Sequence, residues 1–440
     1  MTSAGATAHT LLDDAWIAVL AGKRDDGLRT AVALLEDDPL QLGAGALVAQ
    51  VLATDRPAVA AKAAAWLVDA FVRRGDLPSA AAAALTVGEA GGDAGALHAA
   101  IAAAFGKGSG RLSDVPPAPP PLPAAPALEA ALRKLAGKAL LGRAEKALDL
   151  MMAAADPIAA GKVPALPLFS ALAPPVLERL LGTLARRTLA GGAVAIEQGA
   201  EGREAFIVVR GALQAVRRAQ GQDDSVLAVL GPGAIFGEMA LVSDAPRAAA
   251  VVALEPVELL VAARDPLEAI ARTEPAIARE LASFCRRRMM ANLVRHSAIL
   301  GAVPAAEREG LVARFEVKTF QPGEVLVVEG AEAAGLYLVA SGQVRVAHKD
   351  AEGDSIVLAE LGPGDVVGEI SLVLRRPASA TVTASHPTVA LHLPRDRFHE
   401  AIREHASLLA ELYELATRRD EETRSVVAQQ ALDVEDVVLL

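Results

Sequence analysis

Residues 236–252 read FGEMALVSDAPRAAAVV, and two side chains of opposite charge, Glu238 and Arg247, stand nine positions apart in that stretch. GEMALV follows a GPG turn and a hydrophobic strand end, so it reads as one or two turns of helix. The N-terminus of such a turn presents free backbone amides with a partial positive charge, where anions bind. Arg247, at the start of the strand AAAVVA, brings a planar cationic fork back toward that same end, a shape suited to phosphate. Glu238 cannot take a phosphate, but its carboxylate accepts hydrogen bonds from a sugar hydroxyl. In a 3′,5′-cyclic nucleotide the phosphate and the one free 2′-hydroxyl sit side by side, and the small residues Ala240, Ala248 and Ala249 let a ligand approach the backbone. The bland alternative is a surface ion pair worth under ~1 kcal/mol. Recurrence of the stretch argues against it.

Residues 367–383 read VGEISLVLRRPASATVT, an offset of 131 (369 minus 238). The same offset carries Gly192 to Gly323, Gly199 to Gly330, Gly211 to Gly342, the GPG of 231–233 to that of 362–364, and Arg264-Asp265 to Arg395-Asp396 without a gap. Each copy starts with a short helical pattern, continues through β-branched or alternating runs cut by Gly, Pro and Asp, and closes on a longer helical pattern. Many short strands between terminal helices indicate a β-roll or jelly roll.

Residues 236–249, with the turn glycines 199 and 211 of IEQGAEGREAFIVVRGALQAV, resemble the phosphate-binding cassette of cyclic-nucleotide-binding domains, the family of the cAMP-dependent protein kinase regulatory subunit and the bacterial catabolite activator protein. The resemblance runs over 168–295 and again over 299–428. It implies that Glu238 binds the ribose 2′-hydroxyl and Arg247 the cyclic phosphate, with the amides around Gly237, Ala240 and Ala248 completing the cradle beside Met239. Family members with Ser or Thr just after the arginine tend to favour guanine, so Ala248 leans the site toward cAMP, with cGMP the alternative ligand.

The second copy keeps Gly368, Glu369 and Ser371, with Arg376 and Ser379 beside them, but Ala378 stands where Arg247 would be. A charge-assisted hydrogen bond is worth ~1.5–3 kcal/mol, so losing a two-pronged arginine weakens binding by roughly two orders of magnitude. The second site is expected to bind nucleotide weakly or to serve as a folded platform. Arg375 and Arg376 lie just upstream, where they are candidates to reach the phosphate from another angle.

The elements that must hold these residues fill the rest of the 440-residue chain. Residues 1–112 carry helical periodicity broken at GKRDD, DDP, RRGDLP and GGDAG, as in stacked helical pairs. Aromatics are only 3% while alanine is abundant, which predicts helices packed closely through small side chains. The proline-rich SDVPPAPPPLPAAP cannot be helical. The expected organisation is a multidomain α+β chain: a repeat-like helical domain (1–112), a linker (113–126), a helical connector (127–166), two β-roll domains with flanking helices (167–297 and 298–430) and a tail (431–440).

A formal net charge of −11 argues against nonspecific nucleic-acid binding. The single cysteine, Cys285, excludes an internal disulfide framework and fits a reducing compartment. There is no HExxH or other paired histidine spacing for a metal, no GxSxG elbow, no Walker loop and no kinase signature. Neither a secretory signal nor a membrane span is read, and the expected location is cytoplasmic. The expectation is a non-enzymatic sensor without cofactor or metal, binding cAMP or cGMP and acting on a protein effector through its N-terminal helices. The competing class is a scaffold built on β-rolls that no longer bind nucleotide.

Overall fold

A computed structural model describes residues 8–113, 132–154, 161–218, 225–349 and 355–438. The chain forms two compact units: residues 1–197, 203–241 and 250–284 make the first, and residues 198–202, 242–249 and 285–440 the second. The proline-rich segment from 114 onward lies outside the described residues.

The first unit begins with six helices, α1 (Ala8–Leu20), α2 (Arg24–Asp37), α3 (Leu42–Leu52), α4 (Pro57–Arg74), α5 (Leu77–Glu89) and α6 (Gly95–Phe105). The turn at RRGDLP shows why the breaks fall where they do. Gly75 takes the left-handed conformation (φ 78°) that ends α4, and the side chain of Asp76 accepts the amide of Ser79 at 3.0 Å to cap α5, with proline in the first turn. Leu28, Leu34, Leu35, Leu47, Leu52, Leu67 and Leu77 are buried in the core between helices, with Ala31, Ala44, Ala60, Ala63 and Ala64 at no exposure at all. After the two-residue β1 (Leu112–Ser113), α7 (Gly137–Ala153) packs as a seventh helix on α2 and α3. The approach is close enough that a Cβ on Gly45 would stand 2.3 Å from Met151 Sδ. The two-residue β2 (Val163–Pro164) pairs in parallel with β1.

Then come α8 (Pro174–Leu181) and eight antiparallel strands: β3 (Ala185–Leu189), β4 (Val194–Ile196), β5 (Glu204–Arg210), β6 (Leu213–Arg217), β7 (Ser225–Leu230), β8 (Ile235–Phe236), β9 (Ala250–Ala253) and β10 (Val257–Ala263). They form two four-stranded sheets in the orders β3-β10-β5-β8 and β4-β9-β6-β7. Ile196, Phe206, Val208, Leu213, Val251, Leu259 and Val261 fill the space between, and Phe206 stacks on Phe236 at 5.1 Å. A single turn of 3-10 helix, Glu238–Leu241, follows β8. Helices α9 (Arg264–Thr273) and α10 (Pro275–His296) come after β10.

Helices and sandwich of the first unit are joined by buried charge. Arg186 of β3 reaches Glu89 (2.7 Å) and Thr86 Oγ1 (2.8 Å) on α5 and pairs with Glu258 of β10 at 3.0 Å. Arg210 of β5 pairs with Asp13 at 3.2 Å and lies over the ring of Trp16.

The second unit repeats the sandwich. It contains α11 (Ala298–Gly301), α12 (Ala305–Val312), β11 (Glu316–Phe320), β12 (Val325–Val327), β13 (Gly335–Ser341), β14 (Val344–Lys349), β15 (Ser355–Leu361), β16 (Val366–Val367), α13 (Glu369–Val373), β17 (Thr381–Ala384), β18 (Thr388–Pro394), α14 (Arg395–Glu404) and α15 (Ala406–Val438). The sheets run β11-β18-β13-β16 and β12-β17-β14-β15, the same topology as before. Leu336, Leu338, Leu391, Leu393 and Phe398 share one core with Leu408 and Leu412 of α15, so that helix is an integral part of the unit. It runs on to Val438 without a break, past the boundary drawn at 430 from the sequence.

The two β-sandwich domains with flanking helices behind an N-terminal helical region are the architecture read from the repeat. Among the described residues no helix is long and apolar enough to cross a membrane.

Candidate functional site

The second sandwich presents its cassette whole, within one unit. A cavity of about 200 Å³ is lined by Gly368, Glu369, Ser371, Ala378 and Ser379, by inward-facing apolar residues such as Val327, Val346 and Val382, and by Arg419 of α15. Gly368 sits at φ 89° as the N-cap of α13, and a Cβ there would meet the carbonyl oxygen of Gly335 at 2.6 Å, so only glycine fits. Ser371 Oγ accepts the amide of Ala333 at 3.1 Å. The carbonyl of Ser379 lies 3.1 Å from Nδ1 of His348, which also pairs with Glu329 at 2.9 Å.

Glu369 is 3% exposed, and its carboxylate is already engaged: Arg419 donates to it at 2.9 Å and to the carbonyl of Val366 at 2.6 Å. Arg419 is the one cation among the residues that line this cavity, and it is paired with Glu369. Arg376 does not supply a replacement. It pairs with Asp420 of α15 and, with Arg375, lines a different hollow.

In the first sandwich the corresponding residues divide between the two units. Gly237 (φ 72°) precedes the 3-10 turn in the first unit, in which Glu238 is 5% and Ala240 3% exposed, with Met239 half-buried beside them. Arg247 and the exposed Ala248 belong to the second unit. There the backbone of Arg247 is clasped by the 199–200 loop: Gly199 donates to its carbonyl at 2.9 Å, and its amide donates to Ala200 at 2.9 Å. The second copy repeats this clasp with the same lengths, Gly330 to the Ala378 carbonyl and the Ala378 amide to Ala331. Positions 247 and 378 are thus held by the same backbone geometry, and the copies differ in what projects from it. The guanidinium of Arg247 lies against Gly202, where a Cβ would stand 2.4 Å from Nη2 and 2.7 Å from Nε.

Two residues escaped the sequence reading. Gly202 could have been found, because its counterpart at the repeat offset is Ala333, a glycine-to-alanine change beside the arginine-to-alanine one. Arg419 gave no signal, since it lies 50 residues from Glu369 on a different helix. Among the described residues no three His, Cys, Asp or Glu side chains are placed to hold a metal ion.

The cyclic nucleotide-binding domain family matches residues 186–274 and 317–405. The chain is 32% identical over 235 residues to a cAMP-dependent protein kinase regulatory subunit of Yarrowia lipolytica, covering 53% of this chain and 58% of that protein. It is 30% identical over 211 residues to the protein of that name from Dictyostelium discoideum, covering 47% and 62%. The matches thus span about three fifths of those relatives' lengths. Similar solved structures include the regulatory domain of Toxoplasma gondii PKA with cAMP (26% identity, 57% of this chain and 92% of that one, TM-score 0.28). Another is the Thermus thermophilus catabolite activator protein (33% identity, 34% and 68%, TM-score 0.28). Residues 186–274 and 317–405 belong to the cyclic nucleotide-binding domain family, and the chain carries two such domains in tandem.

Proposed function

We propose that this protein is a cytoplasmic cyclic-nucleotide sensor whose first domain binds cAMP through Glu238 and Arg247 and passes the change to a protein partner. The observation that carries this reading is the pairing of the two cassettes. In the second domain Gly368, Glu369, Ser371, Ala378 and Ser379 line one cavity. At the same offset the first domain holds Gly237, Glu238, Ala240, Arg247 and Ala248, with a guanidinium in place of a methyl group. On this reading Glu238 holds the ribose 2′-hydroxyl, Arg247 neutralises the cyclic phosphate as a fork, and the amides at Gly237, Ala240 and Ala248 complete the cradle. Ala248 and the cAMP-dependent relatives favour cAMP over cGMP.

The relatives are named regulatory subunits of a kinase, which supports a regulatory role without catalysis and a partner of the protein-kinase class. The N-terminal helices are the proposed contact surface, because stacked helical pairs commonly present protein-binding grooves. For the second domain, the Arg419–Glu369 pair and Ala378 favour a folded platform that does not take cyclic nucleotide.

Calorimetry with cAMP and cGMP on the wild type and on Arg247→Ala tests the site. The expected result is binding at one site, tighter for cAMP, and weakened roughly a hundredfold by the substitution. Equal heats from both proteins would remove the assignment.

A further inference from the structure

Arg375 and Arg376 follow the end of α13 and line a hollow of about 350 Å³ in the C-terminal unit, which shares Ser371 with the cassette cavity but is otherwise lined by different residues. The opposite wall is one stripe of α14, Arg395, His399 and Arg403, each four residues from the next. Four guanidinium groups thus border one small space, against one carboxylate, Glu332, which is 77% exposed.

Two of the four are fixed by neighbours. Arg395 donates Nε and Nη2 to the carbonyl of Ala333 (3.1 and 3.0 Å) and Nη1 to Glu332 (3.1 Å), and Arg376 pairs with Asp420. Among the described residues the side chains of Arg375 and Arg403 make neither an ion pair nor a hydrogen bond. Ser371, 2% exposed, also lines the hollow. Its oxygen accepts from Ala333 and its own proton remains to donate.

Part of this arrangement serves the fold, since Arg395 holds Ala333 and Glu332, and Arg403 in the last turn of α14 complements the helix dipole. Arg395, however, stands in the first turn of α14, where a cation opposes the helix dipole. Arg375 is held at φ 52°, a left-handed conformation that costs a non-glycine residue on the order of 1 kcal/mol. Both unfavourable features border the same space. A ligand with negative charge and several acceptor oxygens would turn each of them to use, and planar guanidinium forks match phosphate oxygens two at a time.

We propose that this hollow is an anion site for a phosphate monoester dianion, free or carried on a phosphorylated side chain of a peptide, gripped by Arg375 and Arg403 with Ser371 as a hydroxyl donor. It is distinct in chemistry from the cassette. A cyclic phosphate is a single negative charge that needs a sugar-binding acid beside it, whereas this hollow offers cations from both walls.

The test is calorimetry on the full chain with two probes, phenyl phosphate as a free monoester and a phosphoserine peptide. The variants are Arg375→Gly, which suits the left-handed backbone and so keeps the fold, and Arg403→Ala. Arg345→Ala, an exposed residue of β14 paired with Glu360, is the charge-matched control. The expected result is binding of at least one probe by the wild type and the control, weakened roughly tenfold or more in both hollow variants. Binding of phenyl phosphate alone identifies a free monoester, and binding of the peptide alone a protein-borne one. A wild type that binds neither probe, or unchanged affinity in either hollow variant, overturns the proposal.

Discussion

The guanidinium of Arg247 lies across Gly202 so closely that a single methyl group at position 202 would stand 2.4 Å from Nη2. The absence of a side chain at 202 is therefore part of how the arginine is held, and the second copy shows the converse. Where Arg247 becomes Ala378, Gly202 becomes Ala333, which is 4% exposed. Space and the group that fills it change together.

Gly202→Ala should act at a distance from any ligand contact of its own. The backbone there needs no positive φ, so the fold tolerates alanine, but the guanidinium must shift. Loss of one or two charge-assisted hydrogen bonds at ~1.5–3 kcal/mol each predicts cAMP binding weakened roughly tenfold to a hundredfold, measured by calorimetry. Unaltered affinity would show that Arg247 does not depend on that space.

Restoring the arginine to the second domain needs the glycine as well. Ala378→Arg alone should add no binding, because Ala333 blocks the space its counterpart leaves open. Ala333→Gly combined with Ala378→Arg should raise the cAMP stoichiometry seen in calorimetry. A gain from the single substitution would refute the coupling.

Arg419→Ala should destabilise the second unit more than an ordinary charge deletion, because it leaves Glu369 buried without its partner. Breaking a buried pair costs on the order of 3 kcal/mol, read in urea unfolding. Adding Glu369→Gln should return part of it, since a neutral amide is less costly to bury than a lone carboxylate. If the double variant is no more stable than the single, burial of charge is not the cause.

Stability of the first unit should carry a pH signature from Glu258. Burial raises its carboxyl above the usual range, against Arg186 and Arg210, which pull it down. For an acid whose folded pKa exceeds the unfolded one, the stabilising contribution is complete below the unfolded value and is lost as pH rises through the folded one. The stability of the wild type relative to Glu258→Gln should therefore increase as pH falls through the raised folded value toward the ordinary carboxylate range. Urea unfolding at stepped pH would contradict this if the difference shrank.

The parts of this fold that were legible in the sequence are those fixed within a few residues. Gly192, Gly199, Gly211 and Gly237, and their counterparts Gly323, Gly330, Gly342 and Gly368, all have positive φ. Each marks a turn that only glycine makes without strain, so their recurrence revealed two copies of one sandwich. The helix break at Gly75-Asp76 was readable for the same reason, as a left-handed cap followed by a side-chain cap. Glu369 and Ser371 were singled out because the cassette is one continuous stretch, and both line the same cavity.

Direction and partnership were decided only by tertiary structure. Arg375 and Arg376 stand next to the cassette in sequence, yet they face the α14 stripe and Asp420. Arg419 reaches Glu369 across 50 residues, and Arg186 reaches α5 across about a hundred. Such pairs leave no periodic trace, because a long side chain takes the partner that burial and charge bring near it, and which partner comes near depends on how whole elements pack.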